Sequence, residues 1–276
     1  MNQPRVERLS RRDRLKGLPF NRMIPNILTL LALCAGMTAI RYGLQERWEH
    51  AGLALLVAAI LDGLDGRIAR VLKGASKFGA ELDSLSDFIC FGVAPALLLY
   101  MWTLSGAGRI GWVLALLFSV CCVLRLARFN TNMDETDRPA WTSNFFAGVP
   151  APAGGGLVML PMFLSFQFGD GLFKQPAMVA VFVVVVSALM ISRIPTFAFK
   201  KFRVAPRWIL PTMLLVGLFA ASLVSAPWLT MAATLIVYMA SIPFSLRSYR
   251  KLEQAQGDTP DATPLDAAGG APPPNP

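Results

Sequence analysis

Eight stretches of roughly twenty mostly apolar residues follow one another along this chain, at 24–43, 50–72, 83–103, 108–128, 145–167, 176–198, 207–225 and 227–246. Backbone amides find no water in hydrocarbon, so such a chain crosses a bilayer only as helices or as a closed barrel. A helix needs about 20 residues to cross, a barrel strand only about 9–11. The stretch lengths therefore select helices. Charged residues make up 16% of the chain, against about 25% in a soluble domain. The expected fold is an all-α integral membrane protein, a polytopic bundle of about eight transmembrane helices.

Basic residues set the orientation. Of the 26 Lys and Arg, all but Arg41, Arg47, Arg109 and Lys174 fall on one side of an eight-span topology, the side that also holds both termini. Lys and Arg stay in the cytoplasm, so both termini are expected there, in a multi-pass protein of the cell (inner) membrane. A seven-span topology would strand a basic cluster on the wrong side. The net charge of +9 then calls for no nucleic acid; topology and attraction to anionic lipid headgroups account for it. Three regions follow. Residues 1–22 form a basic cytoplasmic segment with no apolar core ahead of a small-residue cleavage site, so the first span itself would act as the membrane signal. Residues 23–250 form one membrane domain. Residues 251–276, rich in Pro, Gly, Ala, Asp and Thr, cannot bury a core and are expected to be a disordered cytoplasmic tail.

Inventory excludes several chemistries. Cys34, Cys90, Cys121 and Cys122 lie in apolar spans without metal-ligand spacing and read as small core residues. His50 is the only histidine and sits at an outer helix start. A Ser-His-Asp mechanism and a His-ligated zinc are thereby ruled out.

What remains is a set of four aspartates. Asp62 and Asp65 end the second stretch, and Asp83 and Asp87 begin the third. A carboxylate at the centre of a membrane helix costs roughly 2.5–3.5 kcal/mol on insertion scales and is rare there without a function. Residues 51–61 rise roughly 16 Å as a helix, which puts Asp62 near or just past the midplane on the cytoplasmic side. Asp65 lies one turn deeper on the same face, and Asp83 and Asp87 share a face at i, i+4. Gly63 and Gly66 remove bulk beside the first pair, so that a second helix or a ligand phosphate can approach. A short connection through Lys73, Gly74, Lys77 and Gly79 makes the two helices antiparallel, so the carboxylate faces can meet. Four clustered carboxylates repel unless cations neutralise them. Oxygen-only ligands favour Mg2+ or Mn2+, with Ca2+ also compatible, over zinc. A divalent pair beside Arg67 and Arg70 at the lipid–water boundary suits phosphoryl transfer, with an aspartate taking the proton of an attacking hydroxyl. The bland alternative is a buried ion-pair network such as Asp62 with Arg70, but the acids outnumber the arginines in the spans.

The pattern D-x-x-D-G-x-x-A-R-x8-G-x3-D-x3-D, met at Asp62, Asp65, Gly66, Ala69, Arg70, Gly79, Asp83 and Asp87, resembles the signature of the CDP-alcohol phosphatidyltransferase family. The resemblance implies a polytopic helical enzyme, usually a homodimer, that moves a phosphatidyl or similar group from a CDP-linked donor to an alcohol and releases CMP. It implies metal ligation by Asp62, Asp65, Asp83 and Asp87, with Asp87 also as general base. It further implies nucleotide and donor contacts from Gly66, Arg70 and Asp62, and from Gly79, Asn26 and Thr29 beside them.

Ile24-Pro-Asn-Ile-Leu-Thr29, Glu81 to Asp87 continuing to Phe91-Gly-Val-Ala-Pro95, Arg125-Leu-Ala-Arg128-Phe-Asn130, and Phe146 to Gly154 are similar to the phosphatidylserine synthase branch of that family. That similarity covers roughly residues 20–165, and the last three stretches look generic. The branch implies CDP-diacylglycerol and L-serine as substrates, with membrane lipids around the enzyme. Serine brings a carboxylate, and Arg125 and Arg128 can clamp it bidentately, hold phosphate, or simply anchor the helix end by charge. Asn130 either orients the amino acid or caps that helix. Asn26 either contacts the nucleotide or caps the first span after Pro25. Pro150, Pro152 and Gly154–Gly156 mark a broken or closely packed helix start that shapes the site. The competing readings are the same chemistry on glycerol 3-phosphate, inositol phosphate or choline, and an ion-coupled transporter using the aspartates as a cation site.

Overall fold

Helices dominate the computed structural model, which describes residues 20–72, 76–133, 145–192, 194–197 and 208–257. Helix α1 (Phe20–Leu44) and α2 (Trp48–Val71) form an antiparallel hairpin. Its turn is closed by Arg47 N–H donating to the Tyr42 carbonyl at 2.9 Å, with Glu46 in the left-handed region at φ 58°. Small residues let the helices of this region approach: Ala32, Ala39, Ala51 and Ala58 are fully buried, and a Cβ on Gly36 would lie 2.6 Å from the Cys90 sulfur.

Helix α3 runs from Lys77 to Trp102. Ser76 caps it, accepting from the Gly79 amide at 3.0 Å. The helix is α-helical through Asp87, widens into a π-turn at Phe88–Val93, and returns to α at Ala94. Pro95 explains the change of pitch: it has no N–H to give the Phe91 carbonyl, so the ladder must skip. A 3-10 turn at Leu104–Ala107 leads to α4 (Arg109–Met133). After β1 (Phe145–Ala147) come α5 (Ala151–Val158) and α6 (Leu160–Phe168), bent by 41° at Met159. Then follow α7 (Pro176–Ile191), β2 (Pro195–Phe197), α8 (Ile209–Ser225) and α9 (Pro227–Gly257). The two short strands pair antiparallel, Phe146 opposite Thr196.

Each expected apolar stretch contains helix, with several differences at the ends. Residues 145–147 and 195–197 are strand rather than the ends of spans; Phe-Phe-Ala and Pro-Thr-Phe are as apolar as a helix interior, so composition could not separate them. The helix start expected at Pro150 and Pro152 is there, with Pro150 as N-cap and Pro152 in the first turn of α5; a further bend falls at Met159, ahead of Pro161. Gly154–Gly156 are closely packed as expected: Cβ atoms there would lie 2.7 Å from the Met190 sulfur, 2.9 Å from the Phe91 carbonyl and 2.8 Å from Leu235. The first helix already begins at Phe20, and α9 continues to Gly257, past the expected domain end at 250. The rest of the basic segment and of the tail lies outside the described residues. Cys90, Cys121 and Cys122 are buried, but Cys34 faces outward.

Four helices are long and apolar enough to cross a bilayer, and five spans result if the bent α5–α6 pair counts as one. Among the described residues α2 is 24 residues long yet outside that set, because Asp62, Asp65, Arg67 and Arg70 interrupt its apolar run. The chain is therefore a helical membrane protein. Its interior is built around Leu98, Leu99, Phe118, Leu157, Met162 and Phe163, all essentially inaccessible. Helix α8 buries none of its residues and turns Leu210, Met213, Leu214 and Leu218 outward, the surface expected of a helix in lipid. At a turn beyond the spans, Lys174 and Ser165 both donate to Asp170, at 3.0 and 2.8 Å, and hold its carboxyl below the usual carboxylate range.

Candidate active site

Helices α2 and α3 deliver the aspartates as their spacing demands. Asp62, Asp83 and Asp87 each place a carboxylate oxygen within 4.8 Å of the other two. Asp65 stands apart from this trio. It is only 2% exposed, and the Thr29 hydroxyl of α1 donates to it at 2.6 Å. A carboxylate so enclosed needs a donor, and the short charge-assisted bond fixes its orientation. Thr29 thus meets the motif through Asp65.

Among the described residues no cation forms an ion pair with the cluster. The one ion pair among the described residues joins Lys174 to Asp170, far along the chain. Arg70 turns back on its own helix, its Nε donating to the Gly66 carbonyl at 3.0 Å, so the ion-pair network between Asp62 and Arg70 does not form. The Asp87 Oδ1 atom is buried without any hydrogen-bond partner. An orphaned buried carboxylate oxygen beside two further carboxylates is an all-oxygen donor set that fits a hard divalent cation. Asp62, Asp83 and Asp87 would hold it, with Asp65 one turn away.

The glycines of the motif divide into two kinds. Cβ atoms on Gly63 or Gly66 would meet nothing within 4 Å. No helix of the described residues packs there, which leaves that face of α2 open for a ligand. Gly79 is closed instead: a Cβ would lie 2.9 Å from Asn26 Oδ1 and 3.1 Å from Ser76 Oγ. Asn26 therefore sits against the first turn of α3. It does not cap the first span, because α1 starts upstream of Pro25.

The other flank is α4. Arg125 is buried, 8% exposed, with its guanidinium carbon 5.4 Å from the centre of the Phe129 ring. It lies within electrostatic range of Asp87 without forming an ion pair. Arg128 uses one Nη to donate to the Ile191 carbonyl at 2.7 Å, fastening the last turn of α7. Asn130 Nδ2 donates to Ser84 Oγ at 2.9 Å, which ties α4 to α3 next to Asp83; α4 runs on to Met133, so Asn130 is no helix cap.

Several residues were not legible in the sequence. Ser86 donates to the Thr29 carbonyl at 3.3 Å, and the Cys90 thiol to the Ala32 carbonyl at 3.3 Å. Together they stitch α3 to α1 on the back of the cluster. Ser84 and Ser86 stand inside the Glu81–Asp87 segment, so alternation with the aspartates was the available signal. The π-turn directly after Asp87 was signalled only by Pro95.

The family model for CDP-alcohol phosphatidyltransferase matches residues 22–191 of this chain. The chain belongs to that family. A second model, CDP-alcohol phosphatidyltransferase 2, matches residues 207–243, so the α8–α9 region that looks generic in sequence carries family character too. Among similar members of the CDP-alcohol phosphatidyltransferase family is the CDP-diacylglycerol–serine O-phosphatidyltransferase of Mycobacterium leprae, 42% identical over 83% of this chain and 76% of its own length. The enzymes of the same name from Helicobacter pylori and Bacillus subtilis are 34% and 35% identical, over 79% and 64% of this chain and 88% and 92% of theirs.

Proposed function

We infer that this chain transfers the phosphatidyl group of CDP-diacylglycerol to the hydroxyl of L-serine and releases CMP, in phospholipid synthesis. Membership of the family and the carboxylate trio support the reaction type. The observation that carries the acceptor is that the relatives at 34–42% identity, over most of the chain, bear that activity in their names.

The donor keeps its acyl chains in lipid and lays its nucleotide and pyrophosphate along the open face of α2 at Gly63 and Gly66, with Asp62, Arg70, Gly79, Asn26 and Thr29 around them. A divalent cation bound by the aspartates, Mg2+ or Mn2+ with Ca2+ also compatible, supplies charge neutralisation at the pyrophosphate. Asp87 takes the proton of the serine hydroxyl on the carboxylate oxygen that the cation would leave free. The serine oxygen attacks the phosphorus that bears diacylglycerol, the bond to the CMP oxygen breaks, and CMP leaves. With no histidine or thiol nucleophile in the cluster, transfer is direct. Arg125 binds the acceptor carboxylate or a phosphate. Arg128 reaches a ligand only with the donors that Ile191 leaves free, and Asn130 sets the α3–α4 spacing there. The eight-span topology with both termini cytoplasmic, and hence a site facing the cytoplasm from the inner membrane, is supported by the asymmetry of Lys and Arg. A homodimer with its domain at 23–250 completes the reading.

CMP release by the purified protein in detergent, with CDP-diacylglycerol, Mg2+ or Mn2+ and a panel of alcohols, tests it. Release with L-serine alone is expected, and Asp87→Asn should abolish it while donor binding persists. Release with glycerol 3-phosphate, inositol phosphate or choline in place of serine would overturn the acceptor; no release with any alcohol would overturn the enzyme.

A further inference from the structure

Helix α9 points two hydroxyls into the bundle that bond to nothing. Tyr238 Oη and Ser245 Oγ are buried without hydrogen-bond partners, and Ser245 is completely inaccessible. They stand seven residues apart, two helical turns, on the face that also buries Ile242. An orphaned buried hydroxyl costs about 1–3 kcal/mol, and a phenylalanine would fill the same space without that cost.

The surroundings of Tyr238 say what the hydroxyl faces. Helix α9 packs on β2, and Tyr238 neighbours Thr196 there. Thr196 gives its proton to the Gly148 carbonyl at 2.8 Å, so it has none to give Tyr238, and its oxygen lies outside hydrogen-bond geometry for the phenol. Gly148 cannot be anything else: its φ is 79°, and a Cβ would lie 2.7 Å from the Met190 and Ser192 carbonyls. Arg128 pins the adjacent end of α7 through Ile191. This corner is thus rigid, and it holds the phenol hydroxyl within electrostatic range of the buried Arg125. Arg125 in turn reaches Asp87 electrostatically. The buried Arg125 is thus within electrostatic range of both Asp87 and an unpartnered hydroxyl donor.

We propose that the Tyr238 hydroxyl is a specificity-determining contact, donating to the carboxylate of the acceptor alongside the Arg125 guanidinium. The proposal rests on the amino-acid acceptor inferred above. It assigns to the last helix a direct hold on the substrate part that separates serine from a plain alcohol. Ligand binding removes the orphan, so the group is unfavourable in the free protein and favourable in the complex.

The test is Tyr238→Phe, with Arg125→Lys in parallel, each purified in detergent. Thermal unfolding is read for both, and CMP release is measured against L-serine and against serinol, which keeps the hydroxyl and amine but lacks the carboxylate. For Tyr238→Phe the expected result is an unfolding temperature equal to or above that of the wild type, a KM for L-serine raised about tenfold or more, and an unchanged KM for CDP-diacylglycerol. The preference for L-serine over serinol in kcat/KM should fall by the same factor, because serinol never made the contact. A serine KM within twofold of the wild type in Tyr238→Phe, with a raised one in Arg125→Lys, overturns the role of Tyr238 and leaves the acceptor site standing. Unchanged serine KM in both variants overturns the Arg125 site itself. An equal loss with serine and serinol overturns the carboxylate contact.

Discussion

A tight approach of one helix to the backbone of another lies one turn beyond Asp87, and it yields a quantitative prediction. A Cβ on Gly155 would stand 2.9 Å from the Phe91 carbonyl oxygen and 3.0 Å from Phe91 Cα and Cβ. Two of those atoms are backbone in the π-turn, so relief requires α5 to move away from α3. Overpacking of this kind costs about 1–3 kcal/mol, and immovable partners put it in the upper half of that range. Gly→Ala inside a helix returns about 0.5–1 kcal/mol. Gly155→Ala should therefore lose about 1–2.5 kcal/mol net. The shift arises in the turn that follows Asp87, so activity should fall as well; a displacement near 1 Å at a reacting group costs about 100-fold. Gly63→Ala is the control. Nothing lies within 4 Å of its Cβ, so only the propensity gain remains and the variant should be slightly more stable than the wild type. Unfolding in detergent can be followed by a thiol-reactive dye, since Cys90, Cys121 and Cys122 are buried and free while Cys34 is exposed and reacts at once. If Gly155→Ala melted at or above the wild type, the inferred contact between α5 and the π-turn would be wrong.

Three further expectations are independent of it. Thr29→Val removes the 2.6 Å bond that orients Asp65 while keeping shape; a hydrogen bond to a buried charge contributes about 1.5–3 kcal/mol, so the metal concentration needed for half-maximal CMP release should rise at least about tenfold, with Thr29→Ser near wild type. Chelation of divalent ions should abolish CMP release, and either Mg2+ or Mn2+ should restore it; full activity after exhaustive chelation would remove the metal from the reading. Asp170 ionises at lower pH than an ordinary carboxyl because Lys174 and Ser165 donate to it, so its small contribution is present above the unfolded pKa and is lost as pH falls through the folded one; Asp170→Asn should lower the unfolding temperature slightly at pH 7, and the gap should close in strong acid.

The aspartates were legible because their signal is local. Spacings of three and four residues put each pair on one helix face, and a short connection forces the two helices antiparallel, so the meeting of Asp62 with Asp83 and Asp87 follows from the sequence alone. What fixes them was not legible, because the partners are distant in sequence. Thr29 lies 36 residues from Asp65, Asn130 lies 46 from Ser84, and Arg128 lies 63 from Ile191. An arginine at a helix end reads equally as topology, ligand contact or helix fastening until its partner is known. Tyr238 gave no signal, since a tyrosine in an apolar span looks like any interfacial aromatic. The strands at 145–147 and 195–197 hid inside apolar runs for the same reason: hydropathy reports burial and says little about backbone path.

The π-turn at Phe88–Val93 has a consequence for how this chain can change its length. The wider turn absorbs one surplus residue, so the half of α3 bearing Asp83 and Asp87 keeps its rotational phase with the half whose Leu98, Leu99 and Trp102 are buried in the interior. Removing a residue within the π-turn and closing it to α pitch would leave both faces where they are. Removing one from the α-helical part on either side would turn one half against the other by about 100°. Either the carboxylates would then leave the cluster or the large side chains would leave the core, so the π-turn is the place in this span where the residue count can change.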